Sequence, residues 1–238
     1  MLSKQLTIVI PTYNEEKYIA QTLYAIAAQS KTKGVKIIIA DAKSTDSTRS
    51  IVLANSFELN LNLEIIDGGL PAVGRNAGAK LATTPYVLFL DADVTFTHRQ
   101  VIREAFEEIC TGNYEMVSTN PVYRGEFDIR ASIMFALNKY ITWFLSKVEP
   151  FAIGGFTMVN RQLFIALGGY DEQATQSEDW LLSKRILPHR FKLIPDLMTQ
   201  DNRRFKRYGY TNMIKLLWRN WKNRNNLKYF YKDQNYWG

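Results

Sequence analysis

Residues 86–93 read Tyr-Val-Leu-Phe-Leu-Asp-Ala-Asp, and their reading decides the architecture of the chain. Four bulky apolar residues in a row, too few for a helix, describe a strand buried on both faces, which is the habit of a parallel sheet's interior. The run stops on Asp91 and Asp93, two carboxylates one residue apart. Open α/β sheets bind ligands at the carboxyl ends of their strands, so these acids stand where chemistry is placed. Alternation lets both reach the same side, and hard oxygens there suit Mg²⁺ or Mn²⁺ bridging to a diphosphate. The same Asp-x-Asp also serves as a capped turn, so the pair alone leaves both readings open.

Outward from this strand the pattern repeats. Leu6–Ile10, Val35–Ala40 and Leu63–Ile66 are short apolar runs, and each is followed by a longer amphipathic stretch. Glu15–Gln29 carries Ile19, Leu23, Ile26 and Ala27 at helical spacing. Ser44-Thr45-Asp46 supplies a cap ahead of a helix at Ser50–Leu53, and Ala72–Leu81 forms the third crossover. Strands in regular alternation with helices predict a doubly wound, mostly parallel α/β sheet. Further on, the sequence predicts a helix over Arg99–Cys110, a strand near Glu115–Ser118 and a strongly apolar helix over Ala131–Val148. A glycine-rich strand within Phe151–Asn160, a short helix at Arg161–Leu167 and a helix across Glu178–Leu187 follow.

The unusual residues cluster just after the strands. The first strand ends in Pro11-Thr12-Tyr13-Asn14-Glu15-Glu16, where a tyrosine face can stack on a base; the plain alternative is an Asn14 cap with acids on the helix dipole. The second ends in Asp41-Ala42-Lys43-Ser44-Thr45-Asp46, with Asp41 able to accept a base or ribose hydrogen. Gly74-Arg75-Asn76-Ala77-Gly78 allows close backbone approach and offers a guanidinium fork to phosphate. Glu178-Asp179 opens a helix, where an ordinary dipole pair is the plain reading.

Taken together these segments follow the order and spacing of glycosyltransferase family 2, and the sequence resembles a GT-A fold enzyme. Gly154-Gly155-Phe156, Gly168-Gly169-Tyr170-Asp171-Glu172 and Ser177-Glu178-Asp179-Trp180 are similar to the acceptor half of that family, so the likeness covers roughly 6–187. It implies an inverting transferase that takes sugar from a UDP- or GDP-sugar, with Mn²⁺ or Mg²⁺ as cofactor. It implies residues 1–97 as the nucleotide-sugar half and 98–200 as the acceptor half, while the basic, aromatic composition of 201–238 marks that stretch as a separate tail. By the same resemblance Tyr13 and Asp41 hold the base, Pro11, Glu15 and Arg75 approach the nucleotide, and Asp91 meets ribose or metal. Asp93 binds the metal, Arg203 and Arg204 (or Arg207) close over the diphosphate, and Asp179 is the general base. The chain departs from the family at Ala42-Lys43, where a second Asp followed by Gly is common.

Composition bounds the rest. With 46% hydrophobic and 22% charged residues in 238, disorder is excluded. One cysteine excludes an internal disulfide, and Cys110 is expected to be a small buried apolar group in a reducing compartment. The opening residues are too short an apolar run for a signal peptide, so a cytoplasmic address is expected. The net charge of +7 is uneven: residues 201–238 hold ten Lys and Arg against Asp201 and Asp233. Met213–Lys222 places Met213, Ile214, Leu216, Leu217, Trp218 and Trp221 opposite Lys215, Arg219 and Lys222, as an interfacial anchor requires. Trp218, Trp221, Tyr229, Phe230, Tyr231, Tyr236 and Trp237 exceed what a solvated tail needs. For 131–148 a buried helix and a helix dipping into a membrane are equally open. The expected partners are therefore the nucleotide-sugar donor, a glycan or polyprenyl-linked acceptor, and an anionic membrane surface at the inner face. Two other classes compete: a sugar nucleotidyltransferase, which would place a Gly-rich basic loop after the first strand, and a non-catalytic protein that binds membrane or nucleic acid through its basic tail. Nucleic acid is disfavoured because it would leave the core segments without a role.

Overall fold

A computed structural model describes residues 1–232, excepting the side chain of Arg204. Eight strands form one sheet: β1 (Leu6–Thr12), β2 (Lys36–Asp41), β3 (Asn62–Asp67), β4 (Tyr86–Leu90), β5 (Thr95–Phe96), β6 (Met116–Tyr123), β7 (Phe156–Asn160) and β8 (Phe191–Gln200). Their order is β3-β2-β1-β4-β7-β6-β8-β5. The first four run parallel, with Val9 opposite Phe89 and Ile38 opposite Val9. β7 reverses direction between β4 and β6, and β5 reverses against β8. The sheet is thus the mostly parallel GT-A arrangement that the sequence implies.

Helices cover both faces: α1 (Ile19–Ala27), α2 (Thr48–Glu58), α3 (Pro71–Leu81), α4 (Val101–Thr111), α5 (Ile129–Leu145), α6 (Arg161–Ala166) and α7 (Glu178–Ser183). On one face Ile8, Ile10, Leu23, Leu88 and Ile102 are buried together; on the other Val9, Phe89, Phe164 and Tyr170 form a second core. Burying an aliphatic or aromatic side chain of this size contributes about 1.5–3 kcal/mol. α3 lies unusually close to β1, because a Cβ at Gly78 would collide with the Val9 side chain.

Several boundaries differ from expectation. α1 starts at Ile19 instead of Glu15, because Asn14 takes the left-handed conformation (φ 53°) and a turn fills 15–18. α2 is longer than Ser50–Leu53, and α7 stops at Ser183, ahead of Pro188. Cys110 is exposed on α4, which corrects its assignment as a buried apolar group. α5 is no buried helix: only Ala131, Phe135 and Thr142 along it are buried.

The chain ends in α8 (Arg203–Tyr208), α9 (Tyr210–Lys222) and α10 (Leu227–Phe230). Phe230 is fully buried edge-on against Trp180, and its carbonyl accepts from the Thr175 amide at 2.9 Å. Tyr231 donates to Asp171 at 2.9 Å, and Tyr229 donates to Asn220. These aromatics therefore serve the protein's own packing, whereas Trp218 and Trp221 are exposed. Tyr236 and Trp237 lie outside the described residues.

Candidate active site

Three loops build the floor of a cleft of about 580 Å³ at the carboxyl ends of β1, β2 and β4. The loop after β1 is stitched to the loop after β2. The Asn14 amide donates to Ser44 Oγ (2.9 Å), the Thr45 amide donates to Asn14 Oδ1 (2.9 Å), and the Glu15 amide donates to Thr48 Oγ1 (2.8 Å). Asn14 therefore joins two loops and does not cap α1. Asp46 does act locally, accepting from the Thr48 amide at 2.9 Å. This bracing leaves Tyr13 59% exposed with a face open to stacking. Pro11, Tyr13 and Glu15 line the cleft from β1, with Ala42, Leu70 and Pro71 opposite.

The carboxylates after β4 do not stand alone. Asp93 Oδ2 is 2.7 Å from Arg203, and Arg203 spans to both oxygens of Glu15 at 3.2 Å each. The Arg203 guanidinium also lies 4.4 Å from the centre of the Tyr18 ring. Its proton is held tighter than usual, because the charges of Asp93 and Glu15 outweigh its burial. Burial pushes the Glu15 carboxyl up, with Asp93 and Asp91 adding to it and Arg203 opposing. Arg203, not Arg207, is the arginine seated among the acids; Arg207 lines the cleft and is exposed, and Arg204's side chain lies outside what is described.

Two residues expected at the nucleotide, Asp41 and Arg75, are engaged by the protein's own side chains. Asp41 is fully buried and lines neither this cleft nor the next. Its oxygens accept from Ser44 Oγ (2.6 Å), the Ser44 amide (3.2 Å), Thr12 Oγ1 (3.2 Å) and Arg49 (3.0 Å). A base would have to displace one of these donors, and Ala42 faces the cleft instead. Arg75 is 1% exposed and is absorbed by Glu178 (2.6 Å) and Asp91 (2.7 Å). The Gly74–Gly78 segment thus joins the two halves of the sheet; Asn76 extends the joint, donating to the Tyr170 carbonyl and Glu172 and accepting from the Tyr170 amide. Tyr170 and Glu178 stand in the motifs of the acceptor half, but that both meet Arg75, with Tyr170 5.4 Å from its guanidinium, is not evident from the sequence.

Beside the first cleft lies a second, of about 190 Å³, which reaches Arg75, Glu178 and Asp179. Asp179 sits in the first turn of α7 behind Ser177, which is left-handed (φ 56°), and its Oδ1 accepts from the Trp180 amide at 2.8 Å. Burial, then the charge of Glu178, pushes its carboxyl up to about 7; Arg75 and the amide bond pull the other way. Gly154 makes the approach possible, since a Cβ there would stand 3.0 Å from Arg75 and 3.2 Å from Asp179. Asp91, Asp93 and Arg203 line both clefts. No group of three or more His, Cys, Asp or Glu forms a ready cage among the described residues. Mg²⁺ and Mn²⁺ bound through one or two carboxylates and substrate phosphates need no such cage. Asp93 already carries a cationic group, the guanidinium of Arg203, so the donor set fits a divalent ion.

The profile of glycosyl transferase family 2 matches residues 7–168. The chain belongs to this family. Similar proteins include poly(ribitol-phosphate) beta-N-acetylglucosaminyltransferase TarS of Staphylococcus aureus, 36% identical over 103 residues, covering 42% of this chain and 18% of that protein. The minor teichoic acid biosynthesis protein GgaA of Bacillus subtilis is 24% identical over 198 residues, 76% of this chain and 43% of that one. The chain therefore spans less than half the length of both. Among solved structures, S. aureus TarS 1-349 in complex with UDP-GlcNAc has a TM-score of 0.64 at 23% identity, covering 84% of this chain and 59% of that one. Mannosyltransferase PcManGT of Pyrobaculum calidifontis, in complex with GDP-Man and Mn²⁺, has a TM-score of 0.64 at 24% identity, covering 81% and 55%. The GT-A fold of the family member is common to all three.

Proposed function

We propose that this chain is an inverting, divalent-metal-dependent glycosyltransferase. It would move a sugar from a nucleoside diphosphate sugar, UDP favoured, to a hydroxyl of a lipid-linked or cell-surface glycan. The observation that carries the reading is the sharing of Asp91, Asp93 and Arg203 by two clefts, one offering Tyr13 to a base and the other holding Asp179. The complexes of the similar structures with UDP-GlcNAc and GDP-Man support a donor of this class.

In the first cleft Tyr13 stacks on the base while Pro11 and Glu15 shape its floor. Asp93, with Asp91, would hold the divalent ion, which would supply positive charge to the departing diphosphate. Arg203 is freed from Asp93 as ligands enter and donates charge-assisted hydrogen bonds to the same leaving group. Asp179 lines the second cleft and not the first, which supports a base that meets the acceptor rather than the nucleotide, as direct displacement with inversion would need. With its carboxyl raised to about 7, it is ionised above neutrality yet basic enough to take the acceptor hydroxyl's proton. Arg75 and Gly154 hold that carboxylate in place without contacting the sugar.

Calorimetric titration with UDP, GDP and their sugar conjugates, each with Mn²⁺ and with EDTA, tests the reading. Metal-dependent binding of one nucleotide is the expected result, and absence of binding to all of them by folded protein refutes it. The anomeric configuration of the product, read by NMR, tests inversion.

A further inference from the structure

Two helices carry apolar side chains that the fold leaves uncovered. Stepping about 100° per residue, Ile129, Ile133, Leu137, Tyr140, Ile141 and Phe144 fall within one third of the circumference of α5. All six are exposed, from 51% at Leu137 to 68% at Tyr140, while Ala131, Phe135 and Thr142 face inward. A six-residue apolar stripe on a 17-residue helix is a large exposed patch for a water-facing surface. On α9, Ile214, Trp218 and Trp221 are exposed at 50%, 58% and 47%, while Met213 and Asn220 are buried. Lys215, Arg219 and Lys222 flank that apolar strip, and Lys222 lies 5.3 Å from the centre of the Trp218 ring. Neither helix contains an acidic residue.

We propose that α5 and α9 together form a docking surface for an anionic phospholipid bilayer. The charge argues for this occupant: Arg130, Lys215, Arg219 and Lys222 are exposed, and residues 201–238 hold ten of the chain's 30 Lys and Arg. Apolar burial and attraction to anionic headgroups add for such a face. A second copy fits less well, since neither helix of that copy would offer an acidic residue to Lys215, Arg219 and Lys222. No helix among the described residues is long or apolar enough to span, so the contact lies in the plane of the interface.

The two helices also flank the second cleft. Phe135 and Asn138 of α5 and Met213 and Leu217 of α9 line it together with Asp179, and Leu217 is 42% exposed. Docked through these helices, the protein holds that cleft against the lipid, so the hydroxyl reaching Asp179 belongs to a membrane-anchored amphiphile. This last step rests on the transferase reading; the docking surface does not.

Flotation of the full chain with phosphatidylcholine vesicles, and with vesicles of equal parts phosphatidylcholine and phosphatidylglycerol, tests the surface. The wild type is expected to float with the anionic vesicles and to be released by salt. Lys215→Glu/Arg219→Glu/Lys222→Glu is expected to bind about a hundredfold more weakly. Ile133→Ser/Leu137→Ser/Ile141→Ser, all at exposed positions, is expected to lose a similar factor while melting at the wild-type temperature. Wild-type affinity in both variants, or a wild type that stays unbound at low salt, overturns the proposal. So does a dimer in solution that the stripe variant dissociates, because the second copy would then be the occupant. Nucleotide titration of the same samples keeps the two readings apart: a chain that floats but binds no nucleotide supports the surface and refutes the transferase.

Discussion

Replacing Asp179 by asparagine is expected to stabilise the protein while it slows transfer by orders of magnitude. In the fold the Asp179 carboxyl is pushed up to about 7 by burial and by Glu178; in the unfolded chain it returns to its ordinary 3.8. A raised carboxylate pKa means that the folded state pays to ionise a group that the unfolded state ionises freely. That cost is absent below about pH 4, grows between pH 4 and 7, and is constant above. At 1.36 kcal/mol per tenfold, the gap amounts to on the order of 4 kcal/mol at pH 8. Asparagine has the same shape, keeps an oxygen for the Trp180 amide and never ionises. Urea unfolding of both proteins from pH 4 to 8 should therefore show equal stability at the acid end and an advantage for Asp179→Asn that rises with pH. Loss of the base should lower transfer by about 10²–10⁴-fold, with nucleotide binding intact. A variant less stable than wild type at pH 8, or a pH-independent difference, would refute the ionisation argument. Near-normal turnover would refute the role of Asp179.

Arg203→Ala removes the cation resident on Asp93 and Glu15, so Mn²⁺ titrated without nucleotide should bind several-fold more tightly, while turnover falls; weaker Mn²⁺ binding would show that Arg203 does not compete for the site. Arg75→Met leaves Glu178 buried and unpaired and should cost about 3–5 kcal/mol in urea unfolding, with the larger part recovered in Arg75→Met/Glu178→Leu. If the double variant loses as much as the two single ones combined, the loss is not that of an orphaned charge. Phe230→Ala empties a fully buried site against Trp180 and should lower stability by about 3–5 kcal/mol, which calorimetric melting would detect. An unchanged melting temperature would mean that residues from 201 onward form an independent tail.

The parallel half of the sheet was legible in the sequence because β1, β2 and β4 are continuous apolar runs, a signal that needs no knowledge of their neighbours. Direction is not written in such a run, so nothing in Phe156–Asn160 revealed that β7 runs backwards. β5 is two residues long, below any periodic signal, and β8 is broken by Pro195 and a left-handed Asp196. At the site, residue types pointed to the right loops, yet partners did not follow. Asp41 and Arg75 have the chemistry to meet a nucleotide, but Ser44 and Arg49 claim one, and Glu178 and Asp91 claim the other. Those claims depend on burial and on side-chain direction, and for Glu178 on an approach across 103 residues, none of which spacing encodes. Its position over Glu15 and Asp93 sets Arg203 apart from Arg207, a distinction that the sequence does not carry.

The reversal of β7 also bears on when the site comes into being. Because β7 runs against β4, its amino end meets the carboxyl end of β4, and the Gly155 carbonyl accepts from the Asp91 amide. The Arg75–Glu178 pair closes over 103 residues of sequence at that same seam. Contacts of such separation carry a large loop-closure entropy and form late in folding. A nascent chain that has released only its parallel half would display Asp91 and Asp93 without Glu178 or Asp179, so competence for proton removal marks the completion of folding.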